Sequence, residues 1–407
     1  MKNKKIVILG GGENQLPLLI ESKKLGYYII LCDFRSQNPG KHIADIHYLV
    51  NTLNYEEVLN VCIKEQPDGI ITNSEPAIPI MTKVANKLGL IGNSESGIAA
   101  IMSKDKFRAL QSKLGHYCPK HILVSSVEDL KEKISDFQYP IIIKPCECSG
   151  SRGAKRIDSY NKEEIECAFT ECLNFSRNGM VEIEDFVLMP SLTTIEGDVF
   201  VHNGTFLWEG IFSTTRASYA PMVPMTYSIP IYLDDMRMDI VKTTILSIFN
   251  KVGIVHGEFN IEGYFNKHGD FFLIEINARQ GGHEIPQFIE AATSINMTKL
   301  LVSTAVGDDS YWNSIFNKKT IIKSRIKHVV YSESDGYYNG IKIDRKIKDY
   351  IQSIKEFKNI GDNVIKCTNG TSLIAIIDLA FDDNKSLLQI YDKMENLIKV
   401  QVSQSDV

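Results

Sequence analysis

A chain of 407 residues is too long for one ordinary domain and predicts two or three. With 43% hydrophobic and 23% charged residues it can build sizeable cores, and a formal net charge of -5 argues against nucleic acid or an anionic membrane as main partner. Its eight cysteines are scattered, with no CxxC pair and no zinc spacing, which predicts reduced thiols in a cytoplasmic protein.

KKIVILG (residues 4–10) reads as a first strand running into Gly10, Gly11 and Gly12. Its apolar run, residues 6–9, is too short for a secretion signal or a membrane span, and no other segment approaches about 18 apolar residues. A helix over 16–26, a strand over 27–33 ending in Asp33, HYLV, a helix over 54–65, a strand over 68–73 and a helix over 76–88 follow. This alternation predicts a parallel sheet with helices on its faces, closing near residue 118. Residues 119–188 hold HILV, a helix starting near Ser126, the strand YPIIIKP, a glycine loop, a helix over 161–174 and VEIEDFVL. Residues 189–310 hold several β runs, a helix over 235–252 and a last helix over 286–306, an α+β pattern. The run 212–230 lacks clear periodicity and reads as a long polar loop holding Arg216. Residues 311–407, with an amphipathic helix over 384–399, read as a third, small α+β unit.

Chemistry concentrates in HGEFNIEGYFNKHGDFFLIEINAR, which reads as a β-hairpin turning near His268 and Gly269. One register sets Glu258 opposite Asn277 and the other sets Glu262 opposite Glu275; both place Glu258, Glu262, Glu275 and Asn277 on one face. Carboxylates packed so closely repel unless a cation sits among them, and hard oxygens on rigid strands suit Mg2+. A solvated polar face would share the pattern, but Arg279, two residues on, suits phosphate. Upstream, a strand delivers Lys144 to a loop with Ser149, Gly150, Ser151 and Gly153, whose backbone suits phosphate; an ordinary hairpin loop is the alternative. Lys106 lies in the first turn of a helix over 103–115 with Ser103 as its cap, where a cation is unfavourable unless an anion is present. The N-terminal GGGENQ matches the dinucleotide fingerprint incompletely, with Gln15 in place of a glycine and Asp33 as ribose acid.

Taken in order, GGGENQ, DKFRAL, YPIIIKP with its glycine loop, VEIEDFV and FLIEINAR resemble the ATP-grasp superfamily over residues 1–310. The resemblance implies an N-terminal parallel-sheet domain (1–118), an ATP-grasp domain (119–310, with a lid-like lobe at 119–188) and a C-terminal α+β domain (311–407). It implies that Lys106 and Lys144 bind ATP phosphates under the 148–154 loop, and that Glu184 with the backbone of Asp185 and Val187 holds adenine and ribose. It implies that Glu258, Glu275 and Asn277 bind Mg2+ or Mn2+ and that Arg279 steadies the transferred phosphate, leaving Glu262 without a role. RQGGHEIP and the C-terminal segment are most similar to ligases that join L-amino acids, with His283, Glu284 and Arg216 as substrate contacts. The activity this implies is ATP-dependent amide formation through an acyl phosphate, from small-molecule carboxylate and amine substrates, with a homodimer as the common assembly. Alternatives are a purine-pathway-like enzyme activating formate or bicarbonate, a nicotinamide-dependent oxidoreductase, and a non-catalytic nucleotide-binding protein.

Overall fold

A computed structural model describes residues 4–146, 152–190, 193–316 and 318–404. Its first sheet is parallel, in the order Ile46–Tyr48, Tyr28–Cys32, Lys5–Leu9, Gly69–Ile71. Helices cover both faces, so Ile6 to Leu9 read as an unbroken apolar run and are fully buried. At its C-terminal edge the Gly11 amide donates to Asp33 Oδ2 at 2.7 Å, and Arg35 also pairs with that carboxylate. A Cβ on Gly11 would lie 2.2 Å from Asn38 Oδ1. Asp33 thus holds its own loop together and is no free ribose acid, which removes the dinucleotide reading.

The second sheet is antiparallel, ordered His121–Val124, Val181–Asp185, Ile141–Pro145, Lys155–Ile157. Val127–Lys133 and Lys162–Phe175 pack on it through Leu130, Phe169 and Cys172. Ser126 and Asn161 cap these helices with side-chain oxygens. Ser103 stands at the cap position of Lys104–Lys113 but its hydroxyl donates to Asp105 instead.

The central sheet has nine strands, running Phe271–Asn277, His256–Phe265, Thr194–His202, Ile211–Ala217, Ala220–Ile229, Ser324–Val330, Ala375–Phe381, Ile351–Glu356, with Thr205–Leu207 added to Thr194–His202. Asp235–Val252 covers one face through Val241, Ile245, Ile248 and Phe249. Four expectations differ from the structure. Residues 212–230 are not a loop: Ile211–Ala217 and Ala220–Ile229 form a hairpin, and burial on both faces erased the period of two. The expected helix over 286–306 is two helices, Ile285–Thr293 and Met297–Ala305, parted where Ser294 takes φ +62 and Asn296 caps the second. The C-terminal stretch does not keep to itself, because three of its strands complete the central sheet; a three-stranded sheet of Asn363–Val364, Gly336–Ile343 and Ile398–Ser403 packs beside it. The end of the amphipathic stretch 384–399 leaves the helix for the strand Ile398–Ser403.

Candidate functional site

A cleft of about 1030 Å³ opens between the three sheets. Its floor is the polar face of the central sheet. Glu262 pairs with Glu275 and Asn260 with Asn277, so the second register holds; the turn is longer than two residues, spanning 266–270, and a register shift follows Glu262. The third strand adds Glu196 beside Glu262 and Asp198 beside Asn260, side chains on the same face.

That face divides in two. Glu196, Asn260, Glu262, Glu275 and Asn277 line the cleft. Glu258 does not: it is buried, accepts a hydrogen bond from Gln280 Nε2 at 2.8 Å, and lies against Asp198. Burial and then the Asp198 charge push its carboxyl well above the usual range. The expected role of Glu258 as metal ligand is therefore corrected: the carboxylate opposite Glu275 is that of Glu262. All three glutamates share one face by parity, so alternation alone could not choose between them. Asp198 accepts from Asn260 Nδ2 at 2.9 Å and from the Gly281 amide at 3.0 Å, fixing the loop that leaves the hairpin. A Cβ on Gly281 would lie 2.6 Å from Ile285 Cδ1 and 2.7 Å from Asn260 Nδ2, so only glycine fits that approach.

Glu275 stays below the usual carboxylate range because the Lys104 charge, the Asn277 amide (2.8 Å) and Arg279 outweigh burial. Lys104 lines the cleft, whereas the expected Lys106 is exposed and lines a neighbouring cavity of about 340 Å³ that shares Glu275 and Asn277. Lys104 escaped sequence reasoning because the helix phase that turns it inward is set by Phe107 and Arg108, both buried. Arg279 lies 3.5 Å from Glu75, which also faces Arg177 at 3.7 Å.

At the other end, Asp185 and Val187 line the cleft, and the Val187 carbonyl accepts from Tyr264 at 2.7 Å. Lys144 is buried and pairs with Glu184 at 2.8 Å and Glu182 at 3.4 Å. Glu184 also accepts from Arg108 Nε at 2.9 Å. The Arg108 and Lys144 charges outweigh burial and hold Glu184 down to about 2. Its Oε2 is thus the internal counter-ion of two cations, while Glu184 also lines the cleft beside Asp185 and Val187. Gly153, at φ +72, is described; Ser149, Gly150 and Ser151 lie outside the described residues.

The substrate candidates converge on the same cleft. Arg216 pairs with Glu262 and donates to the Met222 carbonyl at 2.9 Å. His283 and Glu284 both have positive φ. His283 Nδ1 faces the Tyr227 hydroxyl at 3.1 Å, and Glu284 pairs with Lys355 at 2.5 Å and lies 3.9 Å from Lys327. Glu284 also opens the helix Ile285–Thr293, but without a side-chain cap. Among the described residues no three His, Cys, Asp or Glu side chains are arranged to hold a metal by themselves. The donor chemistry of Glu262, Glu275 and Asn277, two carboxylates and an amide, nevertheless suits Mg2+, which completes its shell with phosphate and water.

Residues 103–309 match the family model described as the carbamoyl-phosphate synthase L chain, ATP binding domain. The chain is 26% identical over 318 residues to the carbamoyl phosphate synthase large chain of Campylobacter jejuni, covering 74% of this chain and 28% of that protein. It is 31% identical over 188 residues to the formate-dependent phosphoribosylglycinamide formyltransferase of Prochlorococcus marinus, covering 45% of this chain and 48% of that one. These matches span less than half the length of the curated relatives. In structure the chain is similar to an L-amino acid ligase from Bacillus licheniformis, with TM-score 0.78, 17% identity, and coverage of 99% of this chain and 100% of that one. It is also similar to a phosphoribosylglycinamide synthetase from Anaerococcus prevotii, with TM-score 0.70, 20% identity, and coverage of 99% and 100%. Both likenesses show the fold. Among the described residues no helix is long and apolar enough to cross a membrane.

Proposed function

The chain belongs to the family of the carbamoyl-phosphate synthase L chain ATP-binding domain, within the ATP-grasp superfamily, and from that premise we propose that it is an ATP-dependent carboxylate–amine ligase acting on amino acids. The observation that carries this reading is the facing pair Glu262 and Glu275 on the cleft floor, with Lys104, Lys144 and Arg279 on the walls. The physics of the reaction asks for that arrangement. A carboxylate is a poor electrophile. Transfer of the γ-phosphoryl group forms a bond from phosphorus to a carboxylate oxygen and breaks the β–γ bridge, releasing ADP. The amine then attacks the acyl carbon, the carbon–nitrogen bond forms, phosphate leaves, and the amine loses its proton.

The protein's part is positioning and charge. The backbone of Asp185 and Val187 takes the adenine. Lys144, locked against Glu184 and Glu182, presents a fixed ammonium to the phosphates, and Lys104 and Lys106 approach from the helix start. Arg279, steadied by Glu75, faces the transferred phosphoryl group. Glu262, Glu275 and Asn277 would hold Mg2+ or Mn2+, which neutralises phosphate charge when bound.

The likeness in fold to the L-amino acid ligase, with TM-score 0.78 over nearly all of both chains, supports amino acids as substrates. The similarity to the formate-dependent relative supports a second reading, activation of formate or bicarbonate. Phosphate release from Mg·ATP, measured with pairs of L-amino acids against formate, bicarbonate and ribonucleotide amines, tests the two. Release that requires two amino acids together is the expected result; release with formate or bicarbonate alone favours the second reading.

A further inference from the structure

Glu196 has no part in the nucleotide end of the cleft, yet it is 7% exposed, lines the cleft, and leaves Oε2 buried without a hydrogen-bond partner. A buried carboxyl oxygen left unpaired is costly and rare, and asks for a ligand; burial and the Glu262 charge push this carboxyl up to about 8, and a neighbouring cation would bring it back down. A second buried orphan lies at the same end and is a donor: Arg216 Nε. Arg216 and Glu196 project from the same face of neighbouring strands, since Glu196 pairs with Phe212 and Arg216 follows at even spacing. An unmet acceptor and an unmet donor in one pocket are complementary to a molecule carrying both an ammonium and a carboxylate.

The alternative occupant of Glu196 is the cation itself, and the sheet order argues against it. Glu262 lies one strand from Glu275, but Glu196 lies two strands away. Glu262 stands between Glu196 and Glu275 in the sheet, so the carboxylates that face each other across a single strand spacing are Glu262 and Glu275. Glu196 therefore stands beyond the metal pair, on the side of Arg216, Tyr227 and His283.

We infer that Glu196 binds the ammonium of the amino acid whose carboxylate is activated. This rests on the ligase reading above and adds what it lacked, a reason for the free α-amino group of that substrate to be recognised. The same contact serves the chemistry. An ammonium held against a carboxylate keeps its proton and its place, so the acyl carbon is left to the amine of the second substrate.

The test is binding to the full chain in the presence of Mg2+ and a non-hydrolysable ATP analogue. Each of the twenty L-amino acids is titrated beside the carboxylic acid that lacks its α-amino group, with wild type and Glu196→Gln. The expected result is an L-amino acid whose affinity falls by at least about tenfold in the variant, while its des-amino partner changes by less than about twofold and nucleotide binding is retained. Equal amino-acid affinity in both proteins overturns the assignment and leaves the ligase reading standing. A variant that instead needs more Mg2+ to bind nucleotide also overturns it, because Glu196 would then serve the cation. If no L-amino acid binds wild type, the amino-acid reading falls and the assignment falls with it.

Discussion

At the scale of single residues, the cleft is decided by which glutamate stands where on one sheet face. Glu262 and Glu275 face each other and open to the cleft, while Glu258 is buried against Asp198 beneath Gln280. Glu262→Gln and Glu275→Gln are expected to lower ATP-dependent phosphate release by about 100-fold or more, as loss of one preorganised electrostatic partner usually does. Glu258→Gln is expected to stay within about threefold of wild type, because an amide replaces a carboxyl that burial already keeps from ionising. A steady-state phosphate assay separates them, and a Glu258→Gln as damaged as Glu275→Gln would return Glu258 to the site. Glu184 carries the clearest pH effect. Its folded value, about 2, lies below the ordinary 4.5, so the stability it contributes is complete above pH 4.5 and is lost as pH falls towards 2. Glu184→Gln leaves two buried cations, Arg108 and Lys144, with Glu182 as the one carboxylate that still pairs with Lys144, and is expected to cost about 3 kcal/mol. Urea midpoints measured from pH 7 down to pH 2.5 check both: wild type should lose stability in that acid window, and the variant should start lower and lose less.

At the scale of elements, what could be read in advance followed from burial pattern. Strands with one wet face kept their alternation, so the hairpin bearing Glu275, Asn277 and Arg279 was legible, as were the helix starts at Ser126 and Asn161. The hairpin Ile211–Ala217/Ala220–Ile229 was not, because Phe212, Tyr227 and Ile229 on one face and Ser213, Thr226 and Ser228 on the other are all buried, so no wet face marked the strands. Glu196 was missed for the same reason: its strand, Thr194–His202, is buried throughout, and nothing in the spacing marks one acid there as different. The paired helices after residue 284 were read as one because the break is conformational. Ser294 is exposed, ends Ile285–Thr293 at φ +62, and offers no proline or glycine as a sign. A left-handed serine costs about 1 kcal/mol relative to glycine. Ser294→Gly is therefore expected to raise the urea midpoint by the equivalent of about 1 kcal/mol without changing turnover, and a drop in stability would mean that the side chain is needed there.

At the scale of the whole molecule, the question is whether residues 311–407 are an appendage or part of the site's foundation. The sheet answers through its order. Ser324–Val330 pairs on one side with Ala220–Ile229 and on the other with Ala375–Phe381. The core below the cleft draws Trp312, Val329, Tyr331 and Cys367 from this stretch. Glu284, beside the metal strand, takes its cations Lys327 and Lys355 from it too. Burying each large apolar side chain is worth about 1.5–3 kcal/mol, so Trp312, Val329 and Tyr331 together approach the whole net stability of a typical domain, about 5–15 kcal/mol. Ending the chain at residue 310 would also leave Ala220–Ile229 as a long unpaired edge, open to association with other chains. A chain of residues 1–310 is thus expected to aggregate or to unfold without a cooperative transition, and adding Mg·ATP is not expected to restore one. Circular dichroism during urea unfolding, with and without nucleotide, decides it: a cooperative transition in the truncated chain that shifts upward with Mg·ATP would show that the nucleotide site stands without its C-terminal strands.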